Sequence, residues 1–293
     1  MKPAPFLYAA PETLDDAVAL VHRYGAEGKV LAGGQSLVPL LNMRLARPRV
    51  LVDLNRVREL DYIKDGKEIR IGAMTRQRTA ETSPVVRQKL PLLAEAVRCI
   101  GHPQIRNRGT IGGSIAHADP AAELPAVLAA LDGTVVLQSR RGKRTLRAEA
   151  FFLSYLTTAA LPDELLVEVR LPAHQHLGTA FLEVARRHGD FALAGVAVAL
   201  ERDGDAVRRV RMAFTGVGAT PTRVEEAEEA VLKGGLNDRA FAEAARIVTA
   251  RLTPDNDIHA SAEYRRHVAG VLTERALRLA ARRVEGQTSG GRG

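Results

Sequence analysis

The chain has 293 residues, 46% of them hydrophobic and 26% charged, an ordinary soluble composition on a length that predicts two or three domains. No stretch approaches the ~20 consecutive apolar residues of a membrane span. The start, Met1-Lys2-Pro3-Ala4-Pro5, lacks the apolar segment of a secretory signal, so a cytoplasmic location with no membrane span is expected.

In chain order, Thr13 is placed to cap a helix with Leu14, Ala17, Val18 and Val21 at helical spacing. Asp15 and Asp16 favour its dipole and Gly25 closes it. Lys29-Val30-Leu31 reads as a strand running into the glycine loop Ala32-Gly33-Gly34-Gln35-Ser36. Ser36 opens a helix stopped by Pro48, and Val50–Leu54 reads as a buried strand. These elements make a first α/β unit over residues 1–55. A second, over 56–177, has a strand at Ile69–Ala73 and helical sequence opened by Ser83-Pro84 and divided at Pro91. A second glycine loop, Thr110-Ile111-Gly112-Gly113-Ser114, follows, then a helix begun at Asp119-Pro120 and strands at Thr134–Gln138 and Leu165–Leu171. A third unit, 178–286, holds antiparallel strands Ala192–Leu200 and Val207–Phe214 joined at Asp203-Gly204-Asp205. It continues with a capping box at Thr222–Glu225 and helices over Asn237–Leu252 and Ala262–Val284. Residues 287–293 read as a disordered tail.

The two loops carry the chemistry. A diphosphate needs backbone N–H donors at close range, and paired glycines remove the Cβ and permit the nest conformation that binds anions. One loop after a strand and before a helix is better explained by a tight turn. Two loops in successive α/β units point to one dinucleotide held across a junction. Neither is the G-x-G-x-x-G fingerprint or a Walker loop, which disfavours a Rossmann or nucleotide-hydrolase site.

The residues around these loops resemble a known family. Ala32-Gly33-Gly34-Gln35-Ser36-Leu37-Val38-Pro39, Arg44-Leu45-Ala46-Arg47-Pro48 and Gln104–Gly113 are similar to the medium, FAD-binding subunit of molybdenum hydroxylases. So are Ala118–Pro125 and Arg186-Arg187-His188-Gly189-Asp190-Phe191-Ala192. Aerobic carbon monoxide dehydrogenase and xanthine dehydrogenase typify that family. The likeness runs through nearly the whole chain. It implies an α+β fold like the vanillyl-alcohol oxidase and p-cresol methylhydroxylase flavoproteins, with two subdomains clasping FAD and a C-terminal α+β domain. It also implies a cofactor site made of Val30, Leu31, Ala32, Gly33, Gly34, Gln35, Ser36 and Leu37 with Thr110, Ile111, Gly112, Gly113 and Ser114. Glu123, Leu166 and Asp190 fall at further cofactor positions, Glu123 where Asp is usual. Ser114 stands where Asn is frequent, and Gln35 where carbon monoxide enzymes carry His. The implied partners are a molybdopterin-containing large subunit and a 2Fe–2S small subunit, in a dimer of heterotrimers. The implied role is electron transfer from the iron–sulfur centres through FAD to an external acceptor.

Other readings stay open at this level. A free-standing FAD oxidase of the same fold is one. A basic nucleic-acid-binding protein without cofactor is another, suggested by the net charge of +8; Trp is absent and the arginines are interleaved with acids, so no nucleic acid is expected. The single cysteine, Cys99, excludes an internal disulfide and an iron–sulfur cluster built from this chain alone. It reads as a buried small hydrophobe. Arg106 and Arg108 read equally as phosphate partners or as salt-bridge residues. His117 reads as a local hydrogen-bonding residue, and His174 and His176 form an H-x-H without further ligands nearby, so no metal site is expected. No nucleophile or general base is assigned.

Overall fold

The structure, a computed structural model, describes residues 1–173, 177–203 and 206–289. The first unit comprises β1 (Leu7–Ala9), α1 (Leu14–Tyr24), β2 (Gly28–Leu31), α2 (Leu37–Asn42) and β3 (Val50–Asp53). Its strands form a parallel sheet in the order β1-β3-β2. Thr13 caps α1 by accepting from the Asp16 N–H at 3.1 Å, and the helix buries Ala17, Val18 and Val21, which join Val50 and Val52 in one apolar cluster. The helix expected to run from Ser36 to Pro48 ends at Asn42. Arg44 turns left-handed at φ 59°, and the Leu45 and Ala46 N–H groups both fold back to the Leu40 carbonyl.

The second unit is helix-rich. β4 (Ile63–Lys64) and β5 (Glu68–Gly72) lead to α3 (Gln77–Thr82), α4 (Pro84–Lys89), α5 (Pro91–Cys99), α6 (Pro103–Arg108), α7 (Ile111–His117) and α8 (Glu123–Ala130). Proline stands at the first position of α4, α5 and α6, where no N–H is needed. Then follow β6 (Thr134–Ser139), β7 (Gly142–Arg147), α9 (Ala148–Phe151), β8 (Phe152–Ser154), β9 (Thr157–Thr158) and β10 (Leu165–Pro172). The sheet order is β4-β5-β10-β6-β7, antiparallel throughout. The helix expected from Asp119-Pro120 begins instead at Glu123. Ala118 is left-handed at φ 52°, and the Asp119 carboxylate accepts from the Ala121 N–H at 2.9 Å, closing an Asx turn ahead of the helix. All eight residues of α8 are buried, so this helix fills the core as a whole.

The third unit is a meander of β11 (Leu177–Ala185), β12 (Ala192–Asp203), β13 (Ala206–Thr215) and β14 (Thr222–Arg223), antiparallel in that order. It is followed by α10 (Glu225–Gly234), α11 (Asp238–Arg251) and α12 (Ala262–Ser289). Val196, Val198 and Phe214 pack with Phe241, Val248, Leu272 and Ala276 in a second core. The expected capping box does not form. Thr222 lies in β14 with its hydroxyl donating to the Thr220 carbonyl, and Val224 precedes α10 without a side-chain cap. Asn237 does cap α11, accepting from Ala240 N–H at 3.0 Å. The helix α12 continues to Ser289, through the first residues of the expected tail. Residues 290–293, His174 and His176, and the Gly204-Asp205 turn lie outside the described residues. Where the second and third units meet, Asp132 gathers Arg147, Arg209, Arg211 and Arg223, so four of the arginines are spent on an internal ion-pair cluster.

Candidate cofactor site

The parallel strands β2 and β3 end side by side, with Leu31 opposite Asp53. Ligands of open α/β sheets sit beyond such carboxyl ends, and here the chain leaves β2 as Ala32-Gly33-Gly34-Gln35-Ser36. Gly34 takes φ +76°, a conformation that a side chain would strain. The Gln35 side chain donates to the Gly33 carbonyl at 3.1 Å and holds the loop in shape. Among the described residues, none accepts a hydrogen bond from the backbone N–H of Gly33, Gly34, Gln35, Ser36 or Leu37. Five consecutive amides without an internal acceptor, around a glycine pair, fit an anionic diphosphate.

The second glycine loop lies against the first. A Cβ on Gly33 would stand 2.3 Å from the Arg108 carbonyl oxygen and 2.7 Å from the Gly109 Cα, and one on Gly113 would stand 3.2 Å from the Ala32 Cβ. The structure thus joins the two loops that the sequence separates by some 75 residues. It gives them different work. Ile111 N–H donates to the Thr75 carbonyl and Gly112 N–H to that of Ala73, both at 2.9 Å. Gly113 N–H donates to the Thr110 hydroxyl at 3.0 Å and Ser114 N–H to the Thr110 carbonyl at 3.2 Å. The nest reading therefore fails for Ile111 to Ser114, because their amides are already used. Its glycines serve close packing: a Cβ on Gly112 would lie 2.5 Å from the Ala73 Cβ.

Two residues at this junction were missed by sequence reasoning. Asn55 donates to the Ala32 carbonyl at 2.9 Å, and its own N–H donates to the Asp53 carboxylate at 2.9 Å. Arg76 donates to the Asn55 side chain at 2.6 Å and to the Arg108 carbonyl. The position of Asn55 just past the end of β3 was the available signal. Arg76 carried none, since nothing near it in sequence marks it.

The other sequence-predicted residues divide. Arg106 is 6% exposed, pairs with Glu81 at 3.0 Å and donates to the carbonyls of Ile100 and Gly101. Its role is structural, so the phosphate reading is withdrawn for it; Arg108 is exposed at the loop junction. Glu123 is 5% exposed at the start of α8. Burial, reinforced by Glu183, pushes its carboxyl up to about 8, so at neutral pH it is chiefly a hydrogen-bond donor. Burial likewise raises Glu183 to about 7. Leu166 is buried in β10, the strand against which α7 packs. Asp190 is not at the glycine loops: it pairs with Arg187 at 3.3 Å and lines a cavity of about 650 Å³ with Asp119, Pro120, Phe191 and Arg265. The His117 imidazole makes no hydrogen bond to any described residue, against expectation, and burial lowers its pKa. Cys99 is half-buried with its thiol pushed up to about 12, chiefly by burial, in line with an inert thiol. No cluster of His, Cys, Asp and Glu able to hold a metal exists among the described residues, and no described helix is long and apolar enough to cross a membrane.

Comparison with known proteins matches residues 4–174 to the FAD binding domain in molybdopterin dehydrogenase and residues 179–280 to the CO dehydrogenase flavoprotein C-terminal domain. The chain is 45% identical to the 6-hydroxypseudooxynicotine dehydrogenase complex subunit alpha of Paenarthrobacter nicotinovorans, over 97% of each chain. It is 40% identical to the carbon monoxide dehydrogenase medium chain of Hydrogenophaga pseudoflava, over 96% of this chain and 98% of that one. Among solved structures, carbon monoxide dehydrogenase from Hydrogenophaga pseudoflava superposes with a TM-score of 0.94 at 41% identity, covering 97% of this chain and 99% of that one. Quinoline 2-oxidoreductase from Pseudomonas putida 86 superposes with a TM-score of 0.91 at 34% identity, covering 98% and 99%. The α+β expectation is met, and the chain belongs to the family of FAD-binding medium subunits of molybdenum-containing dehydrogenases and hydroxylases.

Proposed function

We propose that this chain is the FAD-carrying electron-transfer subunit of a heteromeric molybdenum hydroxylase. Its partners in this reading are a molybdopterin-containing large subunit and a 2Fe–2S small subunit, assembled as a dimer of heterotrimers in the cytoplasm. The five acceptorless amides of Gly33–Leu37 carry the reading, set against a second glycine loop in a chain that spans 98% of a carbon monoxide dehydrogenase medium chain. That near-complete match to a medium chain favours a subunit over a free-standing oxidase.

When bound, FAD supplies a carrier that exchanges electrons singly or in pairs. The chain supplies the rest. In this assignment residues 1–55 and 56–177 are the two clasping subdomains, and 178–286 form the C-terminal domain. Val30 to Leu37 line the cofactor, and the backbone N–H groups of Gly33 to Leu37 hold its diphosphate. Thr110 to Ser114 form the facing wall, kept in place by their bonds to Thr75 and Ala73. Glu123, Leu166 and Asp190 are the further contacts, Glu123 offering a proton donor from a dry site. No side chain acts as nucleophile.

Purifying the chain with its neighbours from the native host tests this. The expected result is a yellow complex with stoichiometric FAD, a molybdenum-containing chain and an iron–sulfur chain. A colourless chain that takes up no FAD on titration overturns the cofactor assignment, and a partner-free flavoprotein that turns over substrate alone overturns the subunit assignment.

A further inference from the structure

Arg76 stands at the head of α3, bridged to Thr110 in an isolated antiparallel pair. Its guanidinium touches both halves of the cofactor junction. One side donates to the Arg108 carbonyl, the same oxygen against which Gly33 packs. The other donates at 2.6 Å to Asn55, which itself donates to the Ala32 carbonyl at 2.9 Å. Arg76 is therefore one side chain away from the acceptorless amides that begin at Gly33.

Its charge is not balanced. Arg106, Arg170, Arg223, Arg265 and Arg283, also buried or partly buried, sit 2.6–3.0 Å from a carboxylate. Arg76 makes no salt bridge with any described residue, and the groups that receive its protons are a neutral carbonyl and a neutral amide. Burial, together with the neighbouring Arg108 cation, holds its pKa below the usual arginine range, with Asp61 and Asp53 only partly offsetting them. A guanidinium has five N–H donors, and only two are used. Neutral acceptors orient the group without neutralising it. A partly desolvated cation held in this way gains most from an anion that arrives with a ligand.

We propose that Arg76 is a cofactor-binding residue that contributes its positive charge to the FAD diphosphate, aimed by Asn55 and the Arg108 carbonyl. This rests on the FAD reading above. The amides of Ile111 to Ser114 are already used within the chain, and the segment just ahead of that loop takes part through Arg76 instead, since the Arg108 carbonyl fixes the cation.

The test uses the full chain stripped of FAD and titrated with it at several salt concentrations, for the wild type, Arg76→Met and Arg76→Lys. Arg76→Met is expected to raise the FAD Kd about ten- to a hundredfold, the range for losing a hydrogen bond to a charged group, and to flatten the salt dependence. Arg76→Lys is expected to restore the salt dependence and part of the affinity. Inorganic pyrophosphate is expected to displace FAD from the wild type and to do so less well from Arg76→Met. Arg76→Gln is read in the same way and covers the case that Arg76→Met does not fold. A wild type that binds no FAD overturns the cofactor reading itself. A wild type that binds FAD while Arg76→Met matches it in affinity and salt dependence overturns the assignment of Arg76 and leaves that reading standing. Met and Lys variants that are equally weak, with the wild-type salt dependence, also overturn it, because Arg76 would then only staple the loops.

Discussion

Replacing Gly33 by alanine puts a methyl group 2.3 Å from the Arg108 carbonyl oxygen, where real Cβ atoms keep at least 3.0 Å. Both neighbours are backbone, so neither can rotate away, and the loops must part by about 0.7 Å. Overpacking of this kind costs about 1–3 kcal/mol, which for a chain of this size corresponds to a fall in Tm of roughly 2–10 °C. The separation also moves the Gly33–Leu37 amides relative to Thr110–Ser114, so FAD affinity is expected to fall at least tenfold, about 1.4 kcal/mol. Gly142→Ala is the control. Its φ of +117° strains any side chain, yet nothing lies within 4 Å of the added Cβ, and it sits in the β6–β7 turn. It is expected to lower Tm and leave FAD affinity unchanged. Thermal melts of the apo-protein and fluorescence titration with FAD measure both quantities. Wild-type melting and binding in Gly33→Ala would refute the loop contact.

Arg106→Met removes one partner of a buried pair whose Glu81 carboxylate is also little exposed, and is expected to cost about 3–5 kcal/mol by denaturant unfolding. Glu123→Gln tests the buried carboxyl through pH. Its folded pKa of about 8 lies above the ordinary carboxylate value of 4.5, so below pH 4.5 both states are protonated and nothing is lost. As pH rises from 4.5 to about 8 the unfolded state ionises and the folded state resists, costing roughly 1.4 kcal/mol per pH unit at most. The Gln variant is expected to be more stable than wild type at pH 8 and indistinguishable at pH 4; equal pH profiles would contradict the burial argument. Asp132→Asn removes the carboxylate that four arginines share, leaving Glu149 and Glu228 to balance Arg147, Arg211 and Arg223, and is expected to cost about 1–3 kcal/mol, with the gap from wild type narrowing as salt screens the lost attraction.

Local signals in the sequence pointed to the candidate site, and distant contacts shape it. The glycine loops were legible because paired glycines between a strand and a helix have few physical explanations. That the amides of Ile111 to Ser114 are already used was not legible, since Gly112 and Ile111 are satisfied by Ala73 and Thr75, almost 40 residues upstream. Arg106 and Arg108 are two apart and alike in sequence, yet the turn of α6 buries one against Glu81 and exposes the other. Asp119-Pro120 has the composition of a helix start, but a left-handed Ala118 and an Asx turn delay the helix to Glu123. Thr222 lost its capping role to strand pairing with Phe214. At Asp119 a competing local turn won; in the other cases a tertiary partner overrode a sound local preference.

The most direct test of the account is backbone hydrogen exchange in the apo- and FAD-loaded chain. Gly33 to Leu37 are expected to exchange fast without FAD and to gain protection on loading. The amides of Ile111 to Ser114, already bonded within the chain, are expected to be protected in both states. Protein that binds FAD with no added protection at Gly33–Leu37, or with its new protection confined to Ile111–Ser114, would contradict the claim that the first loop holds the diphosphate.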